Sequence, residues 1–305
     1  PLLKFALGAH ACLVDCQFAN RQQDYCVILA RLSHPELQVV IKLAGPDAQM
    51  AGQFDRTAAI HRQVAQFTTL PTPEMIAVDV SMSQWPWRYM IRTSLPGEEW
   101  AGLRSHMNEA ELASAYRQIG DAVGQLHCIQ FPAFGEIDAR GQVSQPGPSC
   151  LAALRQHALK IIHQPRLQDA FLAALEQRAG CFEGSKYSAL CHEDLHGYNI
   201  LFNCGRDHRQ QGSEWQLSAI LDFDKAWAGS PETDLARLEI WRGMTSPEFW
   251  QAYRALRSLE DGYAQRRPLY QLLWCLEFAR STPQHLADTR RVCRELGIPL
   301  IESFD

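Results

Sequence analysis

The 305-residue chain has no apolar run that approaches a membrane span; its longest are short pieces such as Val39-Val40-Ile41, where about 20 residues are needed. No basic segment followed by an apolar one opens it, so no signal peptide is expected. There is no excess of positive charge. The 29 Lys and Arg stand against 34 Asp and Glu, a net charge of -5, which argues against the basic face that nucleic-acid binding needs. No C-x-x-C pair occurs among its ten cysteines. Scattered from Cys12 to Cys293, they read as small hydrophobes in a reducing compartment, so a cytoplasmic protein is expected. Internal repeats and low-complexity segments are also missing. What remains is 46% hydrophobic and 21% charged residues, the composition of a globular chain with room for two lobes.

The first part reads as strands. Phe5–Phe18, Tyr25–Leu32 and Leu37–Leu43 are apolar runs parted by polar breaks, and Gly45-Pro46 stops the third. A helical stripe at Ile60, Val64 and Phe67 predicts a helix over Phe54–Phe67. Met75–Val80 and Tyr89–Thr93 predict two more strands, and Leu95-Pro96-Gly97 is the natural hinge. Beyond it the pattern is mostly helical. Asn108 with Glu111 is a capping box, opening a helix with a stripe at Leu112, Tyr116, Ile119, Val123 and Leu126. Helices are predicted near 150–162 and 166–179, and Ser246-Pro247 and Thr282-Pro283 are N-cap and N1 pairs of later ones. The short strand-like pieces Tyr187–Cys191, Ile200–Asn203 and Leu217–Leu221 interrupt this lobe. The predicted class is α+β and bilobal: a small antiparallel sheet over residues 1–94, then a larger, mostly helical lobe over 95–305.

Between two of these strands stands His192-Glu193-Asp194-Leu195-His196-Gly197-Tyr198-Asn199. This is H-x-D-L-x-x-x-N, the spacing of a kinase catalytic loop. Such a loop needs a carboxylate within reach of the acceptor hydroxyl, here Asp194, and an amide oxygen a turn later to ligate a cation, here Asn199. Gly197 is expected to permit the turn. Asp222, in Ile220-Leu221-Asp222-Phe223-Asp224, ends an apolar strand as a second metal ligand should. Asp234-Leu235-Ala236 follows at a helix start.

With those segments in order, the chain resembles the aminoglycoside phosphotransferase and choline kinase-like family, small-molecule relatives of the protein kinases. Weaker matches at Val40-Ile41-Lys42-Leu43, Pro71-Thr72-Pro73-Glu74, Leu95-Pro96-Gly97 and Leu126-His127 extend the likeness over nearly the whole chain. The resemblance implies a bilobal protein-kinase-like fold. It also implies transfer of the γ-phosphate of ATP or GTP, with magnesium, to a hydroxyl of a small molecule, by a monomer or a weak dimer. Asp194 would be the catalytic base, and Asn199 and Asp222 the magnesium ligands. Lys42 would reach the α- and β-phosphates, and Arg92, Thr93 and Leu95 would meet the nucleotide, the last two through backbone hydrogen bonds to the base. His192 and Asp234 would support the loop.

In this family the helix after the Lys strand supplies a Glu to the lysine; this chain has Thr57 there. The phosphate-covering loop is expected at Leu7-Gly8-Ala9-His10, with a single Gly. The acceptor is open: an aminoglycoside-type antibiotic, choline, homoserine, another sugar or a macrolide. A polycation would be met by Glu239, Glu277 and Asp305, with Glu302 nearby, and a lipophilic acceptor by Trp227, Trp241 and Trp274. The helix over 109–128 and the final helices are expected to wall that cleft. Two other readings exist. His192-Glu193-Asp194-Leu195-His196 spells the H-E-x-x-H of zinc proteases, but those need a sustained helix, and strand-like residues flank the motif on both sides. The missing Glu would also suit a kinase-like binding module without chemistry.

Overall fold

A computed structural model describes residues 1–21, 25–48, 53–204 and 214–304. The chain opens with α1 (Leu2–Leu7), β1 (Cys12–Arg21), β2 (Tyr25–His34), β3 (Glu36–Ala44), α2 (Phe54–Phe67), β4 (Met75–Asp79), β5 (Arg88–Thr93) and β6 (Glu98–Glu99). There follow α3 (Trp100–Leu103), α4 (Glu109–Cys128), β7 (Gln130–Phe131), α5 (Cys150–Ile161), α6 (Pro165–Gln177), β8 (Ser188–Cys191), β9 (Ile200–Cys204) and β10 (Trp215–Ile220). The last elements are β11 (Trp227–Gly229), α7 (Glu232–Ile240), α8 (Pro247–Leu256), α9 (Tyr263–Phe278) and α10 (Pro283–Leu296). The class is α+β, with an antiparallel sheet first and helices dominating the rest.

Two compact units emerge. The first takes Pro1–Glu99, Asp138–Gln142 and Ile200–Asp224; the second takes Trp100–Ile137, Val143–Asn199 and Lys225–Asp305. A contiguous division at 94/95 is therefore not how the contacts fall. The reason is local. After Pro96 the chain turns at Gly97, φ +152°, where a Cβ would stand 2.5 Å from Ser218 Oγ. That close approach lets β6 pair with β9, so the β9–β10 hairpin joins the first unit.

The first unit is built on a five-stranded antiparallel sheet in the order β1-β2-β3-β5-β4. Strand β3 is central, and its Val39, Val40 and Ile41 are all buried. Val39 and Ile41 enter a cluster with Leu2, Ala30, Leu32, Tyr89 and Ile91. On the opposite face Ala44 and Met90 meet Phe54 of α2, and by strand alternation Lys42 lies on this face. Here one expectation changes. Leu2, Leu3, Ala6 and Leu7 recur at helical spacing and pack as α1 on the first cluster, Gly8 at φ +98° ends that helix, and the first strand starts only at Cys12. Leu7–His10 therefore precedes a strand and links no two strands, so it is not the expected phosphate-covering loop.

In the second unit α9 is the axis. Leu269, Leu272, Leu273 and Leu276 are all buried, and each such side chain contributes about 1.5–3 kcal/mol of hydrophobic stabilisation. The predicted caps are made. Asn108 accepts from Ala110 and Glu111 N–H while Glu111 accepts from Asn108 N–H. Ser246 and Thr282 cap α8 and α10. A second sheet, β11-β8-β7, carries the motif loop at the end of β8.

Candidate active site

In the first unit the β3 register sets Lys42 between Val27 and Met90. Its Nζ donates to Asp222 Oδ1 at 2.7 Å and to Asp224 Oδ2 at 2.6 Å. Burial alone would lower this ammonium, but Asp224 and Asp222 outweigh it and hold it above its ordinary value. So the lysine's second partner is Asp224, from the same segment as Asp222, and not a residue of α2. Helix α2 orients that partner instead: Thr57 Oγ1 donates to Asp224 Oδ1 at 2.8 Å, and Arg56 Nη1 donates to the Asp224 carbonyl at 3.0 Å. Phe223 between the two acids is buried edge-on against His61 of α2, centroids 5.1 Å apart. Burial raises the Asp224 carboxyl; Lys42 pulls it down and the charge of Asp222 pushes it up. Asp222 adopts φ +67°, left-handed backbone in a non-glycine residue, the kind of strain that functional sites hold.

Of the residues expected at the nucleotide, Arg92 is buried on β5, where burial lowers its guanidinium while Asp222 and Asp224 oppose that shift. Thr93 N–H donates to the Glu74 carbonyl and Ser94 N–H to the Gln38 carbonyl, so these two N–H groups are engaged within the unit. Leu95 N–H makes no hydrogen bond among the described residues.

In the second unit, residues 192–199 leave β8 as a loop of turns and bends, without the helix that a zinc H-E-x-x-H needs. Asp234, fully buried, receives the backbone of this loop: His192 N–H donates to Oδ2 at 2.7 Å and Glu193 N–H to Oδ1 at 2.8 Å. His127 Nε2 stands 3.1 Å from the same carboxylate, and its Nδ1 lies 3.0 Å from Tyr253 Oη. His127 is thus a link from Asp234 to α8, beyond the packing or dipole role its place in α4 suggests. His192 Nδ1 accepts from Asp194 N–H at 3.2 Å, and Asn199 Nδ2 donates to the Asp194 carbonyl at 2.9 Å. Gly197 has no positive φ. A Cβ there would lie 3.0 Å from Ala101, whose N–H donates to the Gly197 carbonyl at 3.0 Å; the glycine is needed for close approach, not for the turn.

Glu193 faces inward at φ +62°. Burial opposes its charge, yet His157 and Arg237 overcome that and hold its carboxyl at about 2. Trp227 Nε1 donates to it at 3.1 Å and stacks on His157 at 4.0 Å. Trp227 is therefore core, and no longer a candidate for an acceptor.

The Asp194 carboxylate is partly exposed and flanked by three nitrogens: Arg237 Nη1 at 3.6 Å, Lys225 Nζ at 3.8 Å and His196 Nε2 at 3.8 Å. Glu277 anchors the first two, accepting from Lys225 Nζ at 2.8 Å and from Arg237 Nη2 at 2.6 Å. Both its oxygens are thus engaged inside the protein. Glu239 accepts from Tyr263 Oη at 3.1 Å and faces Arg267 Nε at 3.7 Å. Glu302 pairs with Arg290 at 2.8 Å, and its neighbour Phe304 is buried beside His285. Asp305 lies outside the described residues. Sequence reading missed Asp224, Lys225, Arg237 and Glu277's anchoring role. Only the second acid of Asp222-Phe223-Asp224 left a signal that could have pointed to one of them.

The donor chemistry suits a hard cation. Asn199 spends its amide nitrogen on the loop, which leaves an oxygen. In the first unit Asp222 likewise offers carboxylate oxygens, and magnesium prefers oxygen ligands.

Three comparisons bear on this arrangement. The sequence pattern described as "Phosphotransferase enzyme family" matches residues 25–269. A protein of Enterococcus faecium named "Probable ketoamine kinase" is 30% identical over 110 residues, so the chain spans 35% of the length of this curated relative and the match covers 36% of the chain. Among solved structures, a thermostable mutant of an aminoglycoside phosphotransferase in complex with ADP and hygromycin B has a TM-score of 0.59 at 14% identity, over 90% of this chain and 87% of that one. Plasmodium vivax ethanolamine kinase has a TM-score of 0.57 at 15% identity, over 96% and 84%. At such identities the likeness is one of fold.

Proposed function

We propose that this chain, which belongs to the phosphotransferase enzyme family, is a small-molecule kinase that moves the γ-phosphate of ATP to an alcohol oxygen. The pinned loop is the main support: Asp234 fixes the backbone at His192 and Glu193, and His192 fixes that of Asp194. A carboxylate held this way can wait for an acceptor hydroxyl without paying for its own ordering.

In this reading Asp194 orients the hydroxyl and takes its proton. The alcohol oxygen bonds to the γ-phosphorus while the bond to the β-phosphate oxygen breaks, leaving ADP. Lys42, steadied by Asp224, meets the α- and β-phosphate oxygens. Leu95 N–H, which makes no hydrogen bond among the described residues, would donate to the base. Lys225 and Arg237, both anchored on Glu277, supply positive charge beside Asp194. Asn199 and Asp222 would hold magnesium, which when bound offsets the charge of the phosphates.

A coupled ADP-release screen of hydroxyl compounds tests this, with ATP and GTP run in parallel. Acceptor-dependent release should vanish in EDTA and return with magnesium or manganese, not zinc. Zinc retained through EDTA at one per chain, with no compound phosphorylated, would count against it. Asp224 has its own test. Losing a charged hydrogen bond to Lys42 is worth about 1.5–3 kcal/mol, so Asp224→Asn should raise the KM for ATP roughly tenfold or more. A KM within experimental error of the wild type would mean that Lys42 does not depend on it.

A further inference from the structure

The helical unit holds a cavity of about 350 Å³ between the end of α7, the end of α9 and the start of α10. That size suits a small-molecule ligand. Its walls include Trp241, Trp274 and Phe278, and its other lining groups include Arg242, Arg280 and Asp288. None of its lining residues comes from α4, which differs from the cleft expected from the sequence. The rings pack on one another, Trp241 edge-on to Trp274 at 5.5 Å and Trp274 tilted against Phe278 at 5.7 Å.

Two side-chain paths join this cavity to Asp194. His196, 3.8 Å from the carboxylate, has its ring 5.9 Å from that of Trp241. Lys225, also 3.8 Å from the carboxylate, lies over the Phe278 ring at 4.4 Å. Asp194 does not line the cavity itself; one side chain, His196 or Lys225, stands between its carboxylate and the lining rings.

Charge decides what fits. Arg242 and Arg280 are exposed and make no ion pair among the described residues; Arg280 lies over the Phe278 ring at 5.1 Å. The lining carboxylate, Asp288, accepts from Gln284 Nε2 at 2.8 Å. Glu277 and Glu239, which could have met amines, are tied to Lys225, Arg237, Tyr263 and Arg267. An ammonium group entering here would lose water and meet two guanidinium groups against the single carboxylate of Asp288. A carboxylate would find a planar fork that matches it, and a flat apolar body would find aromatic faces.

Resting on the kinase reading, we propose that this cavity is the acceptor site, and that its acceptor is a hydroxyl compound with a flat apolar body and an anionic group, not a polyamine.

Three naphthalene probes of one shape test the assignment. Each bears a hydroxymethyl group, and they differ only in a second substituent: carboxylate, carboxamide or aminomethyl. Binding is read from intrinsic tryptophan fluorescence and turnover from ADP release. The carboxylate probe should bind about tenfold or more tighter than the aminomethyl probe, the scale of one charged hydrogen bond. Arg280→Ala, at an exposed position that leaves folding intact, should weaken the carboxylate probe about tenfold and the carboxamide probe less than about twofold. Trp274→Leu should weaken all three. No saturable binding of the carboxylate probe at millimolar concentration, a preference for the amine, or indifference of the carboxylate probe to both Arg242→Ala and Arg280→Ala overturns the proposal. The kinase reading fails separately. Carboxylate binding without ADP release that Asp194→Asn removes leaves the ligand class standing and sinks the chemistry. Asp194-dependent release with the amine as best acceptor does the reverse.

Discussion

Asp194→Asn should cut turnover by about a hundredfold or more, the loss expected when a positioned base is removed, while the affinity for ADP stays within about twofold. The substitution keeps the shape of the side chain and removes the charge. It should spare the fold, because Lys225 and Arg237 keep Glu277 as a partner and are not left as uncompensated charges. It should also spare nucleotide binding, which the proposed mechanism assigns to Lys42 and Leu95. The measurement is kcat on the acceptor found by the ADP-release screen, beside an ADP titration. Wild-type turnover in the purified variant would remove Asp194 from the mechanism. A matched loss of ADP affinity would point to a structural role instead.

Asp234→Ala should destabilise the chain by about 3–5 kcal/mol, the cost of breaking a buried charged network by removing one partner. The carboxylate is fully buried and takes two backbone N–H groups and His127. Without it, two buried donors have no acceptor, and each unmade bond costs about 1–3 kcal/mol. The urea midpoint of unfolding reads the effect. Asp234→Asn keeps one acceptor oxygen and should lose less, which keeps the test informative if the alanine variant does not fold. Midpoints equal to the wild type for both variants would mean that water replaces the carboxylate and that the loop does not depend on it.

Features governed by neighbours along the chain were legible in advance. The α4 capping box joins Asn108 to Glu111, three residues apart, and the proline-led starts of α8 and α10 are as local. The H-x-D-L-x-x-x-N loop was legible for the same reason: His192 bonds to the residue two places on, and Asn199 reaches back five. The pattern from Phe5 onward fits a strand because a short apolar-rich run suits either period, and only the packing of Leu2–Leu7 on one face of the sheet selects helix α1. Gly197 fits a turn on sequence alone, because its neighbour in space, Ala101, is far away in sequence.

By itself, then, the sequence determined the α+β class, the catalytic-loop pattern and membership of the phosphotransferase enzyme family, since these rest on short-range periodicity and on residues at fixed spacing. Only the tertiary structure decided which charges meet. Lys42 finds Asp224 across 182 positions, and Glu277 finds Lys225 across 52 and Arg237 across 40. A carboxylate's identity in a sequence says nothing about whether a buried cation has already claimed it. That is why Glu239 and Glu277 suit amine binding on sequence alone, and why the aromatic cavity with its two arginines exists only in three dimensions.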